Sequence, residues 1–137
     1  MNFDRVRIPA KIEHLNQAVA FVEAGAERFG LAPDRQFAVT LVLEEAFVNV
    51  CHHAYPDQGG EAELACGGEE NAFVLEIIDS GIPFDLLLLP APDLSADIME
   101  RNIGGLGVHF IRTLTDSVSY RREEDRNVLR MCFEGGR

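Results

Sequence analysis

No apolar stretch in this chain of 137 residues comes near the roughly 18 needed to cross a bilayer; "LLLLPAP" stops after its leucines. The opening "MNFDRVRIPA" mixes acid and base and has no apolar h-region, which argues against a secretory signal and makes the cytosol the expected compartment. Basic residues are scarce, 12 against 23 acidic ones. The resulting net charge of −11 argues against direct binding of duplex DNA and docking on an anionic membrane, because phosphate contacts need a basic surface. An anionic ligand would have to be held by backbone N–H groups, a metal ion or a few placed arginines. The three cysteines, Cys51, Cys66 and Cys132, form no CxxC pair. That scatter suits reduced buried thiols, not a disulfide framework or a zinc site. Internal repeats and linker composition are also missing. What is present is apolar side chain, 47% of the residues, enough at this length for one domain (1–137) with one core.

Periodicity outlines the elements. "FDRVRIP" places Val6 and Ile8 on one face of a short strand. Ile12, Leu15, Val19, Val22 and Ala26 recur at helical spacing, with Gly30 as a stop. Pro33 and Asp34 open a second helix reaching about Ala54, apolar on most sides and therefore central. "EAELACGGEENAFVLEIID" reads as two strands joined by a turn at Gly67 to Asn71. A long, proline-containing stretch without a steady period follows, of the kind that serves as a lid. After it come a helix from about Leu106 to Asp116 and two closing strands turning at Glu124 to Arg126. This order predicts an α+β, two-layer fold: a mixed, mostly antiparallel sheet covered on one face by helices.

Three segments carry chemistry. In "LVLEEAFVNVCHHAY" a carboxylate, an amide and an imidazole, Glu45, Asn49 and His53, stand at a spacing of four and so in one column of a helix face. In "DSGIPFD", Asp79 leaves a buried strand as a natural hydrogen-bond acceptor, and Gly81 lets a flat ligand approach the backbone; taken alone, the segment reads better as an ordinary strand-ending Asp-Ser-Gly turn. In "RNIGGLGVHFIR", Gly104, Gly105 and Gly107 lead into a helix. Its N–H groups and dipole suit an anion there, though the stretch matches neither a P-loop nor a dinucleotide fingerprint.

In this order and spacing, the three segments resemble the three boxes of the GHKL (Bergerat-fold) ATPases. The closer likeness is to the anti-sigma-factor serine/threonine protein kinases, the RsbW/SpoIIAB-like group. "EEAFVNVCHHAY" is similar to the family's N box, "DSGIPFD" to its G1 box and "GGLGVHFIRTLTDSVSY" to its G2 box with the helix and strand that follow. The likeness runs from about residue 8 to 134. It implies ATP and Mg²⁺ as cofactors and a lid over about residues 84–104. Asn49 would be the Mg²⁺ ligand and Glu45 the general base toward an attacking hydroxyl. His53 would lie near the phosphates, and Asp79 would accept from the adenine amino group with Gly81 leaving room for the ring. Gly104, Gly105, Leu106, Gly107 and Val108 would cradle phosphate oxygens, and Arg101 would neutralise the terminal phosphate. The implied partners are a STAS-domain anti-sigma-factor antagonist, as substrate, and a sigma factor or other output protein; homodimers are common in the family. The chain departs from many members in carrying Pro83, Phe84 and Asp85 where they have a second glycine, a variant the anti-sigma kinases share. Its lid is strongly apolar and has no basic residue before Arg101.

Other readings compete. A zinc hydrolase would need an i, i+4 histidine pair, whereas adjacent His52 and His53 point about 100° apart on a helix. A reading in which Glu45 and Asn49 merely satisfy one another and the backbone leaves both glycine segments unexplained. A two-component histidine kinase needs a separate phosphoacceptor domain for which this chain has no room. The rival from another class is a nucleotide-binding module that sequesters a sigma factor or antagonist without phosphorylating it. Glu45 favours the kinase, since a pure binder needs no base.

Overall fold

In the computed structural model described here, residues 3–56, 59–88 and 103–135 are placed, the side chains of 103–107 excepted. Five strands, β1 (Asp4–Pro9), β2 (Glu61–Glu69), β3 (Ala72–Asp79), β4 (Ser117–Glu123) and β5 (Arg126–Glu134), form a sheet of order β1-β2-β3-β5-β4. Every described pair is antiparallel. Helices α1 (Leu15–Phe29), α2 (Pro33–His53) and α3 (Ile103–Leu114) make the second layer, giving the expected α+β sandwich. No helix among the described residues is long and apolar enough to cross a membrane.

Alternation fixes which face meets the helices. Leu64 and Cys66 on β2, Phe73, Leu75 and Ile77 on β3, and Leu129, Met131 and Phe133 on β5 share one core with Val22 and Ala26 of α1, Val39, Leu43 and Phe47 of α2, and Val108 and Ile111 of α3. Strand side chains point to alternate faces, so one face of each strand supplies this file. No helix among the described residues covers the opposite face, yet Ala65, Val74, Ile78 and Val128 are buried there too. Long charged side chains lie over them: Arg5 and Arg7 reach Glu63, while Arg121 and Arg130 reach Glu76. Their methylene stems cover the apolar residues while the heads pair above.

Two boundaries differ from the sequence reading. Gly67 and Gly68 lie inside β2, and the turn is the two-residue pair Glu70–Asn71, both at positive φ. The glycines answer a packing demand instead: a Cβ at Gly67 would stand 2.7 Å from the Phe3 ring, and one at Gly68 2.6 Å from Phe29. Helix α3 opens at Ile103, ahead of the expected Leu106, so its glycines occupy the first turns instead of preceding the helix. A glycine in a helix costs only about 1 kcal/mol relative to alanine, too little to displace a boundary when the rest of the segment packs. Helix α1 ends before Gly30, and α2 spans Pro33 to His53 as its periodicity suggests. The closing hairpin turns at Glu124–Asp125, also at positive φ.

Candidate functional site

Helix α2 and the ends of β3 and β5 enclose a cleft. Asn49 and Val50 form part of one wall, Ile77 and Asp79 the floor, and Phe84, Leu86, Tyr120 and Asn127 the remaining sides. Most of these groups are apolar. The polar ones are few, buried and directed.

Asn49 is 6% exposed, and its Nδ2 donates to the Glu45 carbonyl at 2.9 Å, one turn back on α2. Only the amide nitrogen can donate, so this bond fixes which way the amide faces. Oδ1 meets no donor among the described residues. Asp79, the last residue of β3, is likewise 6% exposed. Its Oδ1 accepts from Gly81 N–H and from Asn127 Nδ2, both at 2.9 Å. No donor among the described residues reaches Oδ2. One cleft thus holds two buried side-chain oxygens, each aligned by bonds made elsewhere on the same side chain. Buried polar groups are nearly always paired, so two buried acceptors in one cleft that no described residue fills make the cleft the candidate ligand site.

Asn127 is the cleft residue that sequence reasoning missed. It pairs with Asp79 across the β3–β5 register. Its Nδ2 donates to Asp79 and, at 2.8 Å, to the Ile82 carbonyl. Its Oδ1 accepts from Tyr120 Oη, from Phe84 N–H and from Arg122 Nη1. One amide therefore ties Asp79, the turn after β3 and β4 together. The available signal was its place at the head of β5's inward file, Asn127, Leu129, Met131 and Phe133, where it is the only polar member.

Glu45 is half-buried on α2, one turn before Asn49, and is not among the residues lining the cleft itself. Burial, and secondarily the charge of Glu44, push its carboxyl above the ordinary 4.5. His53 is exposed, and its ring stacks on Phe84 with centroids 4.7 Å apart and planes 21° from parallel. Its described partner is thus aromatic. In the first turn of α3, Gly104 and Gly105 have N–H groups that helix geometry leaves without a partner, whereas Gly107 and Val108 lie a turn further in, where N–H groups bond to the preceding turn. Val108 itself packs in the core. Most of the expected lid, and Arg101 with it, lies outside the described residues.

Gly81 serves a contact the sequence does not announce. A Cβ there would sit 2.1 Å from the Ala54 carbonyl oxygen, and the adjoining Ile82 N–H donates to that oxygen at 3.0 Å. The turn after Asp79 is pressed against the end of α2, and only glycine fits. Gly81→Ala is expected to destabilise the fold by about 1–3 kcal/mol, the usual cost of overpacking. Urea unfolding should show a lower midpoint at an unchanged slope; an unchanged midpoint would mean that the contact is soft.

Comparison with known proteins places this geometry in context. A family model described as "Histidine kinase-like ATPase domain" matches residues 8–133. Serine-protein kinases RsbW from Bacillus cereus and Bacillus anthracis are 30% identical over 128 residues, covering 90% of this chain and 80% of theirs. Among solved structures, the Acinetobacter baumannii histidine kinase AdeS aligns with a TM-score of 0.53 at 11% identity, over 100% of this chain and 70% of that one. The catalytic domain of the histidine kinase ThkA aligns with a TM-score of 0.53 at 10% identity, over 98% and 97% respectively. At these identities the two structures speak for the fold alone.

Proposed function

Since the chain belongs to the histidine kinase-like ATPase domain family and is kin to the RsbW serine-protein kinases, we propose that it is a Mg·ATP-dependent serine/threonine protein kinase. In this reading it is a cytosolic, single-domain anti-sigma regulator in a partner-switching circuit. It binds a sigma factor or other output protein and phosphorylates a STAS-domain antagonist. The observation that carries the proposal is the pair of buried acceptors, Asp79 Oδ2 and Asn49 Oδ1, that no described residue fills in one apolar cleft.

The division of labour follows from chemistry. Apolar walls suit a flat heteroaromatic ring, and the free Asp79 oxygen suits an exocyclic amino group, which adenine has and guanine lacks at that position. Asn49 Oδ1 offers a neutral oxygen of the type Mg²⁺ accepts alongside phosphate and water; the ion, when bound, neutralises charge on the phosphates. The first-turn N–H groups of α3 face the need for an anion cradle, and Arg101 would add a positive charge. Glu45, raised in basicity by burial, takes the proton of the attacking serine hydroxyl. A phosphoserine adds roughly two negative charges to the partner, enough to break a packed interface by repulsion and desolvation.

Calorimetric titration with Mg·ATP and Mg·GTP tests the reading directly, and binding of neither would overturn it. Asn49→Ala is expected to weaken Mg·ATP binding while the protein stays folded, because the amide contributes little to the core beyond its bond to the Glu45 carbonyl. Unchanged affinity in the folded variant would remove Asn49 as metal ligand.

A further inference from the structure

The turn after β3 is fastened to α2 at three consecutive residues. Ile82 N–H donates to the Ala54 carbonyl, Gly81 packs on that carbonyl, and Ser80 N–H donates to the Tyr55 hydroxyl at 2.8 Å. The same hydroxyl donates to the Glu61 carbonyl of β2 at 2.7 Å. Its ring lies against Gly60, where a Cβ would stand 2.3 Å from ring carbons. Tyr55 is therefore held by β2 and holds the residue next to Asp79. It lies outside the cleft that Asp79 and Asn49 share, and lines a second, polar hollow that meets the first at Asp79. Burial first, with the charge of Asp79 among the further causes, pushes the phenol above its ordinary 10. The hydroxyl accordingly stays protonated at neutral pH and keeps both bonds.

We propose that Tyr55 is a positioning residue for base recognition: by accepting the Ser80 N–H, its hydroxyl sets the turn on which Asp79 stands and so the direction of Asp79's open oxygen. This rests on the nucleotide reading above. The consequence is that the end of the helix carrying Asn49 also sets the geometry of the Asp79 end, so the two ends of the site are built at one fixed separation. Ser80 is exposed, so water replaces the lost acceptor in a variant without the hydroxyl, and the effect falls on aim more than on stability.

Tyr55→Phe keeps the ring on Gly60 and removes only the hydroxyl. We expect ATP affinity to fall about fivefold, the scale of one hydrogen bond, with GTP affinity unchanged and turnover at saturating ATP equal to that of the unaltered protein. Equal loss for both nucleotides would reveal general loosening and overturn the proposal, as would unchanged ATP affinity. Failure of the unaltered protein to bind ATP at all would sink the nucleotide reading instead. Should Tyr55→Phe not fold, amide exchange in the unaltered protein decides: Ser80 N–H should exchange slowly despite its exposure, and fast exchange would overturn the proposal.

Discussion

Replacing Glu45 by alanine is expected to slow phosphate transfer to the antagonist by at least about a hundredfold, while Mg·ATP still binds. A base acts on a proton that moves only in the transition state, so its loss appears in turnover and leaves ground-state binding largely intact. The structure is consistent with that separation: Glu45 stands one turn from Asn49 but outside the cleft lining, so truncating it leaves the Asp79 pocket untouched. It also gives the expected pH behaviour. Burial and, after it, Glu44 push the carboxyl above the ordinary 4.5. In the proposed role the carboxyl works only when ionised, so activity is expected to hold above that raised value and to be lost as pH falls through it. Glu44→Gln removes one cause of the shift and should move the acid limb of the rate profile downward. Radiolabelled transfer measured beside calorimetry on one preparation is the assay. Wild-type rates in Glu45→Ala would refute the catalytic role, and no transfer by the unaltered protein would favour a nucleotide-binding module that only sequesters its partner.

Asp79→Asn is expected to weaken ATP binding by roughly five- to 150-fold, corresponding to the 1–3 kcal/mol of a mispaired buried polar group, and to erase preference over GTP. The hydrogen-bond pattern dictates the outcome. Gly81 N–H and Asn127 Nδ2 both point at one oxygen of residue 79, so an asparagine must keep its carbonyl there. Its NH₂ group is then forced into the position now held by the open carboxylate oxygen. A donor would face the adenine amino group, also a donor, but would suit the guanine carbonyl. Retention of full preference for ATP in a folded variant would show that Asp79 does not read the base.

The Glu45–Asn49 column and Asp79 stood out in the sequence because they break the apolar pattern around them: Glu45 and Asn49 interrupt the apolar run of a central helix, and Asp79 ends a strand buried on nearly every residue. The hairpins were legible because strand-like runs are separated by short polar turns, which the structure places at Glu70–Asn71 and Glu124–Asp125. What escaped depended on partners distant in sequence. Gly67 and Gly68 looked like a turn because glycine has that local preference, whereas the aromatic rings of Phe3 and Phe29 that demand them are set by tertiary packing. Asn127 has neighbours that read as an ordinary strand; its importance comes from the register that sets it opposite Asp79. Tyr55 and the helix-side role of Gly81 depend on where the end of α2 meets the turn after β3, a distance no periodicity encodes. The start of α3 was misplaced by giving glycine more breaking power than its propensity supports.

Asn127 sits on the strand that is made late, and β3 waits for it. Strands β1, β2 and β3 emerge in succession, yet the central strand's second neighbour is β5, and the bond that aims Asp79 spans 48 positions of sequence. Contacts of such separation form slowly, since the intervening loop must close first. A growing chain can therefore present the helix that carries Asn49 and the turn at Gly81 before it has any means of aiming Asp79. On the ribosome, nucleotide competence should arrive as a late step, after residue 127 has emerged. ATP would then stabilise the finished fold without trapping an unfinished one.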